Sequence, residues 1–430
     1  MLKRYFFPLS KNASNVRYLS TLNISGKDYV SDDLTNIRQS ISSHVGRNVY
    51  LLPNHPISIL NSLIHSHFGP TYTVVPPKSP IVTPEQNFDS LSFPPDHPGR
   101  RASDSYYINR QWMLRTHTSA HEVEVFAEGH KRWLFTADVY RRDEIDASHH
   151  PVFHQMEGAR LWSNTEISSL VEENRQLETE LSRQDILIED LTTIGQSNPI
   201  QPCHDEMLAR SISTNLKLSI NGLLLKLFGT EGNGPLKVRW IDAYFPFTSP
   251  SYEVEVFYQG KWLEILGSGV VAQSTLNKAG IKSEAGWAFG LGLERIAMVL
   301  FQIPDIRLFW TTDERFLQQF QPGLVTSFKP YSKYPPVTHD VSFWLPVVHE
   351  GKAPFHENDF CDIVRDIAGE LVEDVKLIDN FAHPQTGRMS HCYRIQYRSM
   401  GRTLRQEEAN LITQDIKNQL ITMFSVESRG

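Results

Sequence analysis

Residues 138–158 read DVYRRDEIDASHHPVFHQMEG. Two adjacent arginines, five acids, three histidines and a single phenylalanine, Phe153, crowd into these 21 positions. The apolar runs on either side, KRWLFTADVY (131–140) and PVFHQMEGARLW (151–162), predict a strand, a charged loop and a returning strand. A surface hairpin carries such charges readily. So does one wall of a site that holds a polyphosphate and stacks a flat ring. One of Arg141 and Arg142 can grip a phosphate bidentately while an adjacent carboxylate, Asp143 or Glu144, fixes its orientation. Phe153 on the returning strand offers a ring face to a base. Gln155 and Glu157 alternate with Met156 and therefore share the face of Phe153. Taken alone, the stretch favours the surface hairpin.

Outside this stretch, 430 residues exceed one ordinary core, and two folded domains are expected. With 40% hydrophobic and 11% aromatic residues, the chain can bury a sizeable core. No uninterrupted apolar run approaches the ~20 residues needed to span a bilayer, so no membrane association is expected. The three cysteines, Cys203, Cys361 and Cys392, lie far apart and form neither a disulfide framework nor a CxxC clip. The first 26 residues contain Lys3, Arg4, Lys11 and Arg17 and no acid, among Ser, Asn and aromatic residues. That profile predicts a mitochondrial transit peptide over 1–26. Removing its four positive charges from the net −7 leaves the rest near −11. A nucleic-acid partner therefore needs a local basic surface.

Periodicity predicts helix from Lys27, capped at Ser31-Asp32-Asp33, broken by PNHP (53–56) and resumed over Ile57–Phe68. A Pro-rich extended loop covers 76–98, and Arg110–Thr118 is expected to be helical. Residues 164–192 carry eight acids with leucines at near-heptad spacing, which predicts an acidic amphipathic helix or helical hairpin inserted at the surface. Three strand-like runs follow (236–245, 251–259 and 261–271), then GWAFGLGLERIAMVLF (286–301), in which glycines run into an apolar helix. A linker is expected over 322–331. Beyond it, the order strand, helix, strand, strand, helix describes an α+β unit close to a ferredoxin-like split βαβ. No Walker loop is present, and GLGLER lacks the preceding parallel unit of a dinucleotide fold.

Two further features complete a site. GLGLER (290–295) starts a helix with Glu294-Arg295, and an arginine in a first turn gains from an anionic partner. Glu264 lies in WLEILGSG, a strand that ends in glycines, where a carboxylate can meet a metal or an amine. Antiparallel strands carrying Arg, Phe, Gln and Glu beside such a helix make an ATP site without a phosphate-binding loop. This combination resembles the class II aminoacyl-tRNA synthetases: YRRD matches their second motif and GLGLER their third. HTSA (117–120), VFHQMEG, FPFTSPS (245–251), LEILGSG and GWAFGLGLER together resemble phenylalanyl-tRNA synthetase of the single-chain organellar type. KYPPVTHDVSFW (333–344) is similar to the start of its anticodon-binding domain.

The resemblance implies an α+β fold: a class II antiparallel sheet with flanking helices over 27–321, and a ferredoxin-like anticodon-binding domain over 332–430. It implies ATP-dependent activation of phenylalanine, Mg²⁺ as cofactor, tRNA(Phe) as partner, a monomer, and a mitochondrial matrix location. ATP would meet Arg141, Ser148, His149, His150, Phe153, Glu264 and Arg295, with Arg141 at the α-phosphate, Arg295 at the γ-phosphate, and Glu264 on the metal side. Phenylalanine would meet His117, Ser119, Ala120, His121, Glu122, Gln155, Met156, Glu157, Phe245, Phe247, Glu264, Ala288 and Phe289. Position 122 is Glu where relatives usually carry Gln. Residues 380–406 hold Arg388, Arg394, Arg398, Arg402 and Arg405 and no acid, a patch expected to contact tRNA phosphates. A non-catalytic paralogue would have no chemical need for Arg141, Glu157, Glu264 and Arg295. Another adenylating ligase would need neither the FPF segment nor an RNA-facing C-terminal domain.

Overall fold

The computed structural model describes residues 21–229, 234–330, 334–345, 355–399 and 401–429. Most of the expected transit segment lies outside them. Residues 21–30 form a small hairpin whose Ile24 and Tyr29 are buried in the main core.

The larger unit is built on an eight-stranded sheet: β1 (Thr73–Val74), β2 (Arg132–Tyr140), β3 (Val152–Ser163), β4 (Ile186–Asp190), β5 (Leu236–Asp242), β6 (Thr248–Tyr258), β7 (Lys261–Val271) and β8 (Glu284–Gly292). Their spatial order is β1-β2-β3-β8-β7-β6-β5-β4. The two outer pairs, β1 with β2 and β4 with β5, are parallel and every inner pair is antiparallel. The strand–loop–strand reading of 131–162 holds, with Tyr140 opposite Val152. Helices α1 (Pro56–Phe68), α2 (Glu122–Ala127), α3 (Ile167–Leu181), α4 (Glu206–Phe228) and α5 (Leu293–Leu300) flank the sheet. The core packs α1, α4 and α5 around Trp162, Trp240 and Trp287. Trp240 and Trp287 donate their indole N–H to Asn221 and Asn215 of α4, so the ring edges are not left unsatisfied.

Three helical expectations fail. Lys27–Val30 is a strand, and 31–52 is mostly irregular, with helical turns at Gln39–Ser42 and Val49–Leu51. Asp32 does accept a backbone N–H, from Leu34, but it closes a local turn, and its second oxygen takes the N–H of Arg110. The side chain that was expected to cap a helix thus ties two loops together. Arg110–Thr118 contains only the two-residue strand Met113–Leu114, because Asn109 accepts from Gln111 and Trp112 and bends the chain. The acidic segment is helical only through Leu181. Ile186–Asp190 is a β-strand that extends the main sheet beside β5.

The C-terminal unit has strands β9 (Val337–Trp344), β10 (Val372–Ala382), β11 (Met389–Tyr397) and β12 (Glu427–Ser428), in the order β10-β11-β9-β12. Helices α6 (Glu357–Ala368) and α7 (Gln406–Phe424) pack against the sheet, with Phe360 of α6 meeting Phe343 and Tyr393. This is the expected strand, helix, strand, strand, helix plan. Ile145, from the charged loop between β2 and β3, is buried in this second core. The described part of the connecting segment is pinned by Phe328, which packs on Phe316 and takes the carbonyl of Phe301.

Candidate active site

A cavity of about 800 Å³ opens over the face of β3, β8, β7 and β6. It is lined by His117, Ser119, Arg141, Ser148, His149, His150, Phe153, Gln155, Glu157, Phe245, Phe247, Glu264, Ala288, Phe289 and Arg295. Alternation along β3 puts Phe153, Gln155 and Glu157 on this face. Met156, expected in the site, points the other way into the core and is fully buried. Register then orders the floor: Gln155 lies opposite Gly292, and Glu157 opposite Gly290. Arg295 follows the first of these glycines, and Phe289 pairs with Gly158 beside Glu157.

Arg141 leans over the Phe153 ring at 5.2 Å and donates its Nε–H to the Thr116 carbonyl at 2.8 Å. That bond fixes the guanidinium and leaves its two NH₂ groups for an anion. Across the cavity Arg295 stands 3.8 Å from Glu264, both half-exposed. Glu253 shares this wall; burial, then the charges of Glu264 and Glu255, raise its carboxyl above the usual range. Two adjacent carboxylates offering hard oxygen donors fit a divalent cation.

The aromatic end is formed by Phe245 and Phe247, with ring centroids 6.0 Å apart, together with Phe289. Phe93 joins them, 5.7 Å from Phe247 and stacked at 5.5 Å on His117. Phe93 was not foreseen. Its signal was the long Pro-rich loop, a length that ordered proteins keep mainly for function. Two glycines make the slot possible. A Cβ on Gly267 would stand 2.5 Å from the Phe245 ring, and one on Gly158 would stand 2.6 Å from Phe289. His117 has no hydrogen-bond partner at either ring nitrogen, and burial with the nearby Arg141 charge lowers its pKa to about 3. It is a neutral imidazole facing the cavity.

Three residues of the HTSAHE segment do not line the cavity. Ala120 packs with Phe88 and Met113. His121 is a buttress, in hydrogen-bond contact with Arg115 at 3.2 Å and Glu124 at 3.0 Å. Arg115 in turn forms a buried ion pair with Asp138 of β2. Glu122 is fully buried behind the cavity, beside Glu157.

The histidines of the quoted stretch have separate tasks. His154 is held from two sides by Glu294 of the third motif, which accepts its backbone N–H at 2.8 Å and contacts Nδ1 at 2.6 Å. That buried clamp ties β3 to α5. His150 stacks on Trp310 at 5.6 Å; burial, then the nearby His44, push its pKa well below the usual value. His149 binds Asp146 at 2.7 Å. Partial burial opposes its charge, but that hydrogen bond and the carboxylates of Asp143 and Glu144 raise its pKa. Ser148 also donates to Asp146.

Four of the five C-terminal arginines are less free than the sequence suggested. Arg388 pairs with Glu427, Arg394 with Asp340, Arg398 with Glu373, and Arg402 with Glu408; the backbone N–H of Arg405 is also taken by Glu408. Asp340, Glu373 and Glu427 come from other segments, and Glu408 lies just past the patch. On the same unit Arg388 and Arg429 lie over Trp344 at 5.4 and 5.6 Å, and Arg429 over Phe381 at 4.4 Å.

The family "tRNA synthetases class II core domain (F)" matches residues 41–186 and 208–320, and "Ferredoxin-fold anticodon binding domain" matches 332–429. The mitochondrial phenylalanine–tRNA ligase of Saccharomyces cerevisiae is 46% identical over 94% of this chain and 94% of its own. That of Mus musculus is 46% identical over 95% of this chain and 89% of its own. A crystal structure of pyrrolysyl-tRNA synthetase from Desulfitobacterium hafniense covers 64% of this chain and 76% of its own, at 14% identity and a TM-score of 0.37. The chain belongs to the class II aminoacyl-tRNA synthetases, within the group of mitochondrial phenylalanine–tRNA ligases.

Proposed function

We propose that this chain joins phenylalanine to tRNA(Phe) in mitochondria, in two steps, with ATP as co-substrate. The observation that carries this reading is one cavity holding Arg141 over Phe153, Arg295 beside Glu264, and Glu157 beside an aromatic slot. In the first step the phenylalanine carboxylate attacks the α-phosphorus of ATP and pyrophosphate leaves. No side-chain nucleophile is required. Positioning and neutralisation of charge lower the barrier.

Arg141 neutralises the α-phosphate and the attacking carboxylate, adenine stacks on Phe153, and Arg295 holds the γ-phosphate. Glu264 and Glu253 are the residues that would hold Mg²⁺, whose charge would offset that of the phosphates. Gln155 and Glu157 receive the ammonium group, with Ser119 and His117 adding hydrogen bonds, and Phe245, Phe247, Ala288 and Phe289 enclose the ring. His149 and His150 flank the nucleotide. In the second step the acyl group passes to the terminal ribose of the tRNA. The half-buried Trp344 and Phe381 and the arginines around them suit unstacked anticodon bases and phosphates.

We further infer a catalytic domain over 27–321, a linker over 322–331 and an anticodon-binding domain over 332–430. The protein acts as a monomer in the matrix. No described helix is long and apolar enough to cross a membrane. An aminoacylation assay with phenylalanine and mitochondrial tRNA(Phe) tests the reading; absence of charged tRNA from active, folded protein would overturn it.

A further inference from the structure

Two buried carboxyl groups sit under the amino-acid end of the cavity, near enough for the charge of one to act on the other. Glu157, on β3, is 2% exposed and lines the cavity wall. Glu122, at the first position of α2, is 0% exposed and does not reach the cavity. Neither oxygen of Glu122 has a hydrogen-bond partner, and Oε2 of Glu157 has none. The other side of Glu157 is served by Thr118 and Ser119.

Other charges nearby are already engaged. On α2 itself, Glu124 pairs with Lys78 and His121. On β2, Asp138 pairs with Arg115. In the cavity, Arg141 is tied to Thr116 and His117 is neutral. Glu157 is the charged group that acts on Glu122. The rest of the α2 surroundings is apolar: Val125 and Phe126 pack with Phe135 and Ala288.

Two ionised carboxylates in so dry a place would repel each other, and each would lack hydrogen-bond donors. Two neutral acids would leave nothing to meet an ammonium group. One proton between them satisfies both constraints, and its place follows from the surroundings. Thr118 and Ser119 lie beside Glu157 and favour its charge, whereas no donor reaches Glu122. We propose that Glu122 is a protonated carboxylic acid that donates its hydrogen bond to Glu157 and so positions that carboxylate for the ammonium group of the substrate. Glu122 is a positioning residue; it touches no substrate atom. Burial, followed by the charge of Glu157, raises its carboxyl well above the carboxylate range, in keeping with this assignment. The role in substrate binding rests on reading the cavity as the phenylalanine site.

The test uses the full chain and the variants E122Q, E122L and E157Q. Infrared difference spectra at about pH 8.5 without substrate, above the value of about 7 to which Glu157 is raised, read the proton on Glu122 directly. A protonated-carboxyl band present in the wild type and lost in E122Q is expected. A band that survives E122Q and vanishes in E157Q, or no band at all, overturns the proposal. ATP–pyrophosphate exchange with phenylalanine gives the second readout. Gln keeps a donor at position 122, so E122Q should hold KM within about twofold and leave the acid limb of kcat/KM in place. E122L removes the donor and should raise KM about tenfold while moving that limb to higher pH. An acid limb that moves to lower pH in E122Q shows that Glu122 was charged and overturns the proposal. The infrared result stands whichever amino acid is activated, so failure of the functional reading is seen separately as absent exchange in the wild type.

Discussion

Arg141 and Arg142 are neighbours in the chain, yet they serve different domains. Arg141 turns into the cavity, over Phe153. Arg142 turns away and grips Asp359 at 2.8 Å and Asp362 at 2.7 Å on α6 of the C-terminal unit. Tyr106 and Arg365 close the same network around Asp362, and Arg365 also donates to the carbonyls of Asp143 and Glu144. The loop that begins at Arg141 is therefore held by the other domain.

Arg142→Ala should loosen that hold without touching the chemistry. Removing one partner of a buried ion pair costs about 3 to 5 kcal/mol. Thermal unfolding should show a lower first transition, and small-angle scattering a larger radius. Arg141→Ala should do the reverse, keeping stability while lowering the rate of phenylalanyl-adenylate formation by roughly 10²- to 10³-fold. Equal effects of the two variants on both measurements would contradict the division of labour.

Arg295→Ala should raise KM for ATP by about 10- to 100-fold, the loss expected for a charge-assisted bond to phosphate. KM for phenylalanine should move far less. Steady-state exchange with each substrate varied in turn separates the two.

Gly290 and Gly267 should respond differently to alanine. Nothing lies within 4 Å of a Cβ at Gly290, so Gly290→Ala should leave the melting temperature unchanged and weaken only ligand binding. At Gly267 the added methyl displaces the Phe245 ring into the slot, and KM for phenylalanine should rise about tenfold or more.

Glu157 makes stability depend on pH in a stated direction. Burial, partly offset by Thr118 and Ser119, raises its pKa from 4.5 to about 7. Between those values the folded protein holds a proton that the unfolded chain has released, so stability falls as pH rises through that window. The full effect is about 3 kcal/mol at most. Melting temperatures from pH 4.5 to 7.5 should show this slope in the wild type and a shallower one in Glu157→Gln, where the raised carboxyl of Glu122 still contributes in the same direction.

The aromatic slot predicts imperfect choice between phenylalanine and tyrosine. An apolar pocket rejects an added hydroxyl by only ~10². An exchange ratio above ~10⁵ would mean that some polar group in the slot was overlooked.

The inner strands of the sheet, the motif strands and the C-terminal order were legible because alternation and glycine runs are local signals. Gln155 and Glu157 could be put on the face of Phe153 from alternation alone. What escaped was set by distant partners. The five arginines near 388–405 read as a bare patch because Glu373, Asp340, Glu408 and Glu427 lie outside that window. The segment from Lys27 to Leu52 shows helical spacing in Leu34, Ile37 and Ile41. In the fold Ile37 and Ile41 serve the main core while Leu34 packs beside Val82 and Phe88. His154 and Glu294 are 140 positions apart, and their clamp has no local trace.

Ile145 carries a further consequence. Sequence assigns it to the catalytic loop, while burial assigns it to the hydrophobic interior of the C-terminal unit, beside Val375, whose backbone N–H it also accepts. The two units are thus not interchangeable parts. A chimera that keeps residues up to the connecting segment and imports an anticodon domain from elsewhere would leave this side chain stranded in water and its loop without a seat. Any exchange of modules in this protein has to carry the receptor for Ile145 along with it.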